Sequence, residues 1–451
     1  MDSPRPRALL VAWMFPPHGN IGAKRPYRFA RHLPAAGWDV TVLCGRTPPA
    51  AEHDPSPWPL PPEVRVVRDY DSAAVTGLLG GAYDALQRRT SGKPKPAAAT
   101  KDAHPAPAGL RRPAAARAFG VAERLVWNTV PLEPVGIHVP HAVHAALRLV
   151  ADERPAVVWT TSYPFSAHLV GLAVHHATGT PFVADLRDPW TLNFTFDHKT
   201  PPAQLLERHL EARVFAAAAR VVVTTETLAD AYRSLYPAQA HKLVAIRNAF
   251  DPTDLPPREV PSRPVRLVHF GHVYGGARTM AGIYEALARL RDQGGWRPGE
   301  LLLENYGRLS DDDRAHAERC GLGDTVRTFA PVPYGEGLKR LRSAHLLLLP
   351  AWGTHRGPLF LPGKLYDYLL AGAPILALGD NPELAGILAD TGAGTLVGET
   401  DVDAIAAALA RTLEGRPELA PRPAAIAEFS APRATTRLAA LFDDVRREVG
   451  R

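Results

Sequence analysis

The chain has 451 residues, room for two to four domains, and its 46% apolar content excludes global disorder despite 45 prolines. A net charge of +6 is small for this length and argues against a dedicated nucleic-acid binder, while leaving room for a local basic patch. Two cysteines, Cys44 and Cys320, make neither a disulfide framework nor a zinc set and fit a reducing cytosol, and no apolar run reaches the ~18 residues of a membrane span.

Residues 8–15 (ALLVAWMF) form a short apolar run stopped by Pro16-Pro17, the pattern of a buried parallel strand. A loop bearing Gly19 and Gly22 follows, then a helix over 24–36 and a strand over 39–44. Strand, glycine loop, helix and strand within about 40 residues make a βαβ unit. Residues 46–63 are Pro-rich, and 91–119 are low in complexity and read as a mobile loop. Helices are predicted near 121–129 and 138–152. Strands at 156–161, 181–186, 220–225 and 242–248 then alternate with helices, and five prolines in 251–264 mark a domain boundary.

A second series begins at 265–271. Its strands are predicted at 300–307, 325–330, 345–350, 374–379 and 394–397, with helices between them. The fold class is therefore α/β, with two successive Rossmann-like sheets. A last amphipathic helix starts near Ser430, with Leu438, Leu441, Phe442, Val445 and Val449 on one face.

Five constellations can carry chemistry. The Gly19/Gly22 loop brings backbone N–H groups to a helix N-terminus, where an anion is favoured, or it is a tight turn. Pro362-Gly363-Lys364 opens a helix with free N–H groups and an ammonium, and Asp367 lies one turn on. That set suits a phosphate and a ribose; the plainer reading is an i, i+3 ion pair. The loop from Gly271 and His272 to Arg278 carries three glycines and a guanidinium able to clamp a diphosphate. Asp185-Leu186-Arg187-Asp188 follows a strand, where open α/β sheets bind ligands, or forms a self-satisfied turn. Lys24, Arg28, Arg31 and His32 share a helix face flanked by Arg25, a surface for anionic lipid headgroups or simply a solvated one. The run Asp311–Asp313 precedes a helix and reads as capping, and no metal-spaced cluster of His, Cys and carboxylates occurs.

These pieces resemble bacterial, family-4-like glycosyltransferases of the GT-B fold. The stretches that carry the likeness are FPPHGNIGAKRPYRFARHLPAAGWDVTVLC, WTTSYPFSAHLVGLAVHHATGTPFVADLRDPW, IRNAFDP, FGHVYGGAR, VPYGEGLKRLRSAHLLLLP and PGKLYDYLLAGAPILAL, in that order, and GAG at 392–394. The resemblance implies an acceptor-binding domain over 1–255, with a partly flexible insertion at about 46–119. It implies a nucleotide-sugar-binding domain over 264–428 facing the first across a cleft, and a helix over 429–451 crossing back. It implies retaining, metal-independent transfer from an NDP-sugar to a glycan, lipid-linked or natural-product acceptor, with no cofactor, on the cytoplasmic side. By position, Gly363 and Lys364 would meet the diphosphate, Asp367 the ribose and Arg278 the leaving group. Val332 would read the base, Gly19, Gly22, Gly271 and His272 would line the donor, and Lys24, Arg25, Asp185, Arg187 and Asp188 would serve the acceptor side. Many relatives carry two glutamates where this chain has Leu359 and Asp367. A sugar-nucleotide epimerase or a silent nucleotide-binding subunit are the alternatives.

Overall fold

The computed structural model describes residues 5–47, 53–54, 56–75, 132–252, 255, 257–273, 279–330, 332–351, 357–415 and 419–450. The chain separates into two compact units. One holds residues 1–223, 232–244 and 435–451, and the other 224–231 and 245–434.

The first unit is built on a seven-stranded sheet in the order β3-β2-β1-β4-β5-β6-β7. The strands are β1 (Arg7–Ala12), β2 (Asp39–Cys44), β3 (Val64–Val67), β4 (Val157–Thr161), β5 (Phe182–Leu186), β6 (Arg220–Val223) and β7 (Leu243–Ala245). Strands β1 to β6 pair in parallel. Both faces of a parallel sheet are covered by helices, which is why β1, β4 and β5 are rich in apolar residues and buried along almost their whole length. The described helices here are α1 (Lys24–His32), α2 (Val139–Glu153), α3 (Ala167–Thr178), α4 (Pro201–Ala217) and α5 (Glu226–Leu235), whose last residues complete this unit.

The second unit repeats the plan with six parallel strands in the order β10-β9-β8-β11-β12-β13. These are β8 (Val265–Phe270), β9 (Leu301–Tyr306), β10 (Val326–Phe329), β11 (Leu346–Pro350), β12 (Ile375–Leu378) and β13 (Gly394–Val397). Its helices are α6 (Ala281–Asp292), α7 (Asp311–Arg319), α8 (Tyr334–Arg342), α9 (Lys364–Ala371), α10 (Pro382–Thr391), α11 (Val402–Leu413) and α12 (Pro423–Ala427). Two apolar clusters sandwich the sheet. Ser310 caps α7 by accepting from Asp313 N at 3.0 Å, so the acidic run is a helix start, and Asp313 also accepts from Thr279 Oγ1 and Met280 N at the start of α6.

The last helix, α13 (Ala431–Glu448), adds its residues from Thr435 onward to the first unit. There Phe442 is fully buried edge-on to Trp38 and Trp159, with ring centroids 5.3 and 5.9 Å away. Leu438, Leu441 and Val445 are buried as the spacing predicts, but Val449 is 45% exposed because the helix ends before it.

Three differences from the sequence reading are local. Strand β3 forms inside the stretch read as an insertion, held at the sheet edge by pairing with β2 rather than by its own half-buried side chains. Helices α11 and α12 were not foreseen. The low-complexity stretch 91–119 and the helix expected near 121–129 lie outside the described residues.

Candidate functional site

In each sheet the strand order reverses direction at one point, between β1 and β4 and between β8 and β11. Ligands of open α/β sheets bind beyond the strand C-termini at such points. Of the residues singled out from sequence, Gly271 and Lys364 lie at the end of β8, and Asp185 to Asp188 lie at and beyond the end of β5.

In the second unit β8 is followed by Gly271, whose φ of +116° lies in the left-handed region that glycine alone adopts easily. Gly271 also lacks room for a side chain. A Cβ there would stand 2.5 Å from Lys364 Cε and 2.6 Å from Lys364 Nζ. The lysine, first residue of α9, therefore reaches back over the end of β8. Its ammonium lies 3.3 Å from Nε2 of His269. Gly363, just before it, is exposed, and a Cβ on it would meet nothing within 4 Å. Helix α9 is fixed by Tyr368, whose buried hydroxyl accepts from Phe270 N at 3.0 Å and donates to Leu348 O at 3.3 Å. A helix N-terminus, an adjacent ammonium and a rigid seat are features that suit an anion.

Asp367 lies one turn along α9, half-buried, and accepts from Tyr334 Oη at 2.9 Å. Val332, also half-buried, precedes Tyr334 in the segment leading into α8. His272 Nδ1 accepts from Arg308 N at 3.0 Å. Burial, with Arg308 and Lys364 nearby, lowers its pKa, so it is neutral near pH 7 and adds no positive charge. Leu359 contributes a backbone carbonyl that accepts from Thr225 Oγ1 at 3.2 Å. Arg278 lies outside the described residues.

In the first unit Arg25 is not a surface flank of the basic face. It is 5% exposed and forks onto Asp185, itself 1% exposed, with Nη2 to Oδ1 at 2.7 Å and Nε to Oδ2 at 3.0 Å. Thr161 Oγ1 donates to the same carboxylate at 2.9 Å. Helix periodicity put Arg25 beside the basic stripe, and only the sheet could bring an acid 160 residues away beneath it. Lys24, Arg28, Arg31 and His32 remain at intermediate exposure. Arg187 turns its Nε onto Ser162 O, and its Nη1 would be 2.6 Å from a Cβ on Gly22, so the glycine loop makes space for this guanidinium. Gly19 is exposed. Burial raises the pKa of Asp188, against the attraction of Arg187.

Sequence reasoning missed what holds this loop. Glu207 and Glu211, one turn apart on α4, are 2% and 0% exposed. Glu211 accepts from Thr191 N at 3.0 Å and from the hydroxyls of Thr191, Tyr232 and Tyr236 at 2.5–2.8 Å. Glu207 accepts from Trp190 Nε1 at 3.0 Å, from Leu132 N at 2.7 Å and from Lys199. Together they clamp the two residues that follow Asp188-Pro189. Two glutamates at i and i+4 in a predicted helix were the available signal.

His168, at the start of α3, is fully buried with Nδ1 2.8 Å from Thr160 Oγ1. Burial, outweighing the attraction of Asp185, pushes its pKa from 6.5 down to about 4. The unfolded chain binds a proton below 6.5 that the folded chain refuses until about 4. Stability is therefore whole at neutral pH and falls by about 1.4 kcal/mol per pH unit through that window, roughly 3 kcal/mol in all. Urea midpoints across the window should show this slope for the wild type and a flatter one for His168→Gln.

Among the described residues no group of three His, Cys, Asp or Glu is placed to hold a metal, and no helix is long and apolar enough to cross a membrane. A glycosyltransferase from Rickettsia africae ESF-5 superposes with a TM-score of 0.59 at 10% identity, covering 98% of both chains. Sucrose-phosphate synthase from Thermosynechococcus elongatus gives 0.56 at 15% identity, covering 99% of this chain and 98% of that one. WaaG, a glycosyltransferase involved in lipopolysaccharide biosynthesis, gives 0.51 at 15%, covering 98% of this chain and 99% of WaaG. At such identities the likeness shows the fold, two parallel-sheet Rossmann-like domains of the GT-B class. No curated protein matches the chain in sequence. The family model of the glycosyl transferase 4-like domain matches residues 22–249, half of the chain. The chain belongs to the glycosyl transferase 4-like family.

Proposed function

We propose that this protein transfers a glycosyl group from a nucleoside-diphosphate sugar to an acceptor hydroxyl, with retention and without a metal. The observation that carries the reading is the Lys364 ammonium laid over Gly271 at the start of α9, next to the exposed Gly363. In the transfer the bond from the anomeric carbon to the diphosphate oxygen breaks and its electron pair leaves with the diphosphate. A bond from the acceptor oxygen to that carbon forms, and the acceptor proton passes to the departing phosphate. Negative charge grows on the diphosphate as the carbon becomes oxocarbenium-like. Lys364 and the positive end of the α9 dipole stabilise that charge, with Arg278 assigned to the same task from its place in the sequence. Asp367 takes the ribose hydroxyls when Tyr334 yields it, and Val332 offers backbone to the base. In the first unit Arg187 and Asp188 orient the acceptor, while the Arg25–Asp185 pair supports them from beneath.

A thermal-shift screen over NDP-sugars tests the donor half, because a ligand that binds the native state alone raises the melting temperature. Release of nucleoside diphosphate that depends on an added acceptor is the expected second result. Isomerised donor without acceptor would identify an epimerase instead. Donor binding with no turnover over a broad acceptor panel would identify a silent subunit.

A further inference from the structure

We propose that His269 is the positioning residue for the Lys364 ammonium, holding it through a neutral imidazole that aims it at a diphosphate. The proposal rests on the reading of Lys364 as the diphosphate ligand.

His269 lies on β8, on the face where Val265 and Leu267 precede it in the apolar core. It is 0% exposed. An imidazole at a core position costs desolvation, which hydrogen bonds at its nitrogens offset. Nδ1 lies 2.9 Å from the Leu348 carbonyl. A carbonyl only accepts, so Nδ1 carries the hydrogen and Nε2 carries the lone pair. That lone pair faces Lys364 Nζ at 3.3 Å. The ammonium therefore donates to an acceptor whose tautomer is set by the neighbouring strand.

The next strand agrees. Asn305 stands opposite His269 in the parallel register of β8 and β9, on the same face, and is also 0% exposed. Its amide nitrogen donates to Gly307 O at 3.0 Å, which leaves Oδ1 as a buried acceptor with no hydrogen-bond partner among the described residues. The end of the sheet beneath Gly271 thus offers acceptors that are polar but uncharged. A carboxylate there would also hold the lysine, but it would cancel the charge the diphosphate needs and compete with the phosphate oxygens. A neutral acceptor orients the ammonium and lets it go to a stronger anionic partner.

The test uses the full-length protein with His269→Leu, which fills the space without an acceptor, and His269→Gln, whose Oε1 replaces the Nε2 lone pair. In 15N-labelled wild type the His269 ring should be protonated on Nδ1 and not on Nε2; a ring protonated on Nε2 overturns the proposal with no variant needed. The Lys364 ammonium signal, assigned with Lys364→Arg, should move in His269→Leu and stay close to its place in His269→Gln. An unmoved signal in a folded His269→Leu protein also overturns it. Inorganic pyrophosphate, titrated calorimetrically, should bind His269→Leu about tenfold or more weakly, as when outer partners of ligand-holding side chains are removed, with His269→Gln restoring most of the loss. If the Lys364 signal responds to His269 but pyrophosphate binds none of the proteins, the positioning stands and the diphosphate reading of the site fails.

Discussion

Lys364→Ala should lower kcat for glycosyl transfer by about 10²–10³-fold, the usual cost of removing one preorganised group from developing charge. The melting temperature should barely change, since Lys364 is half-exposed and α9 keeps its anchor through Tyr368. The effect belongs mainly in kcat, because the diphosphate carries more charge as it departs than in the bound donor. Lys364→Arg should recover only part of the rate, since a planar guanidinium cannot follow the ammonium's path over Gly271. Steady-state kinetics with saturating NDP-sugar measure this. A Lys364→Ala enzyme within threefold of wild type would remove Lys364 from the leaving-group machinery.

The second large effect is on stability. Arg25→Ala strands the Asp185 carboxylate at 1% exposure, with Thr161 Oγ1 still donating to it. Breaking a buried pair by removing one partner costs about 3–5 kcal/mol, because the remaining charge is desolvated and unpaired. Arg25 also lies 4.8 Å over the ring of Phe29, so packing is lost as well. Urea unfolding followed by near-ultraviolet circular dichroism, where the buried Trp159 and Trp190 of this unit report, should show the drop. The double variant Arg25→Met, Asp185→Leu should regain most of it, because two apolar side chains leave no stranded charge. An Arg25→Ala protein as stable as wild type would show that Asp185 is relieved by water or by a proton.

The alternation of strands and helices was legible because a buried parallel sheet writes apolar-rich runs into the chain, unbroken in β11 and in β1 after Arg7, and interrupted by a few polar residues in β4, β5 and β8. Strand β3 was not, since an edge strand takes its order from its neighbour and its sequence, VRVV, is only partly buried. The helix start at Lys364 was legible from Pro362 and Gly363, whose backbone preferences act locally. Its partner His269 was hidden, because a separation of 95 positions is closed only by the fold. The same distance hid the Arg25–Asp185 pair. A side chain's neighbours one turn away can be read from spacing, but those across a sheet depend on strand order.

The packing of Phe442 between Trp38 and Trp159 has a consequence for how the protein is made. A ribosome releases the chain from its N-terminus, yet the first unit's core is closed by residues 435–451. The stretch 245–434, which forms most of the second unit, must be synthesised in between, a delay of roughly 10–40 s at common elongation rates. Through that interval two tryptophan faces lack their cover. The first unit can begin to fold early, but it is finished only when residues 435–451 emerge.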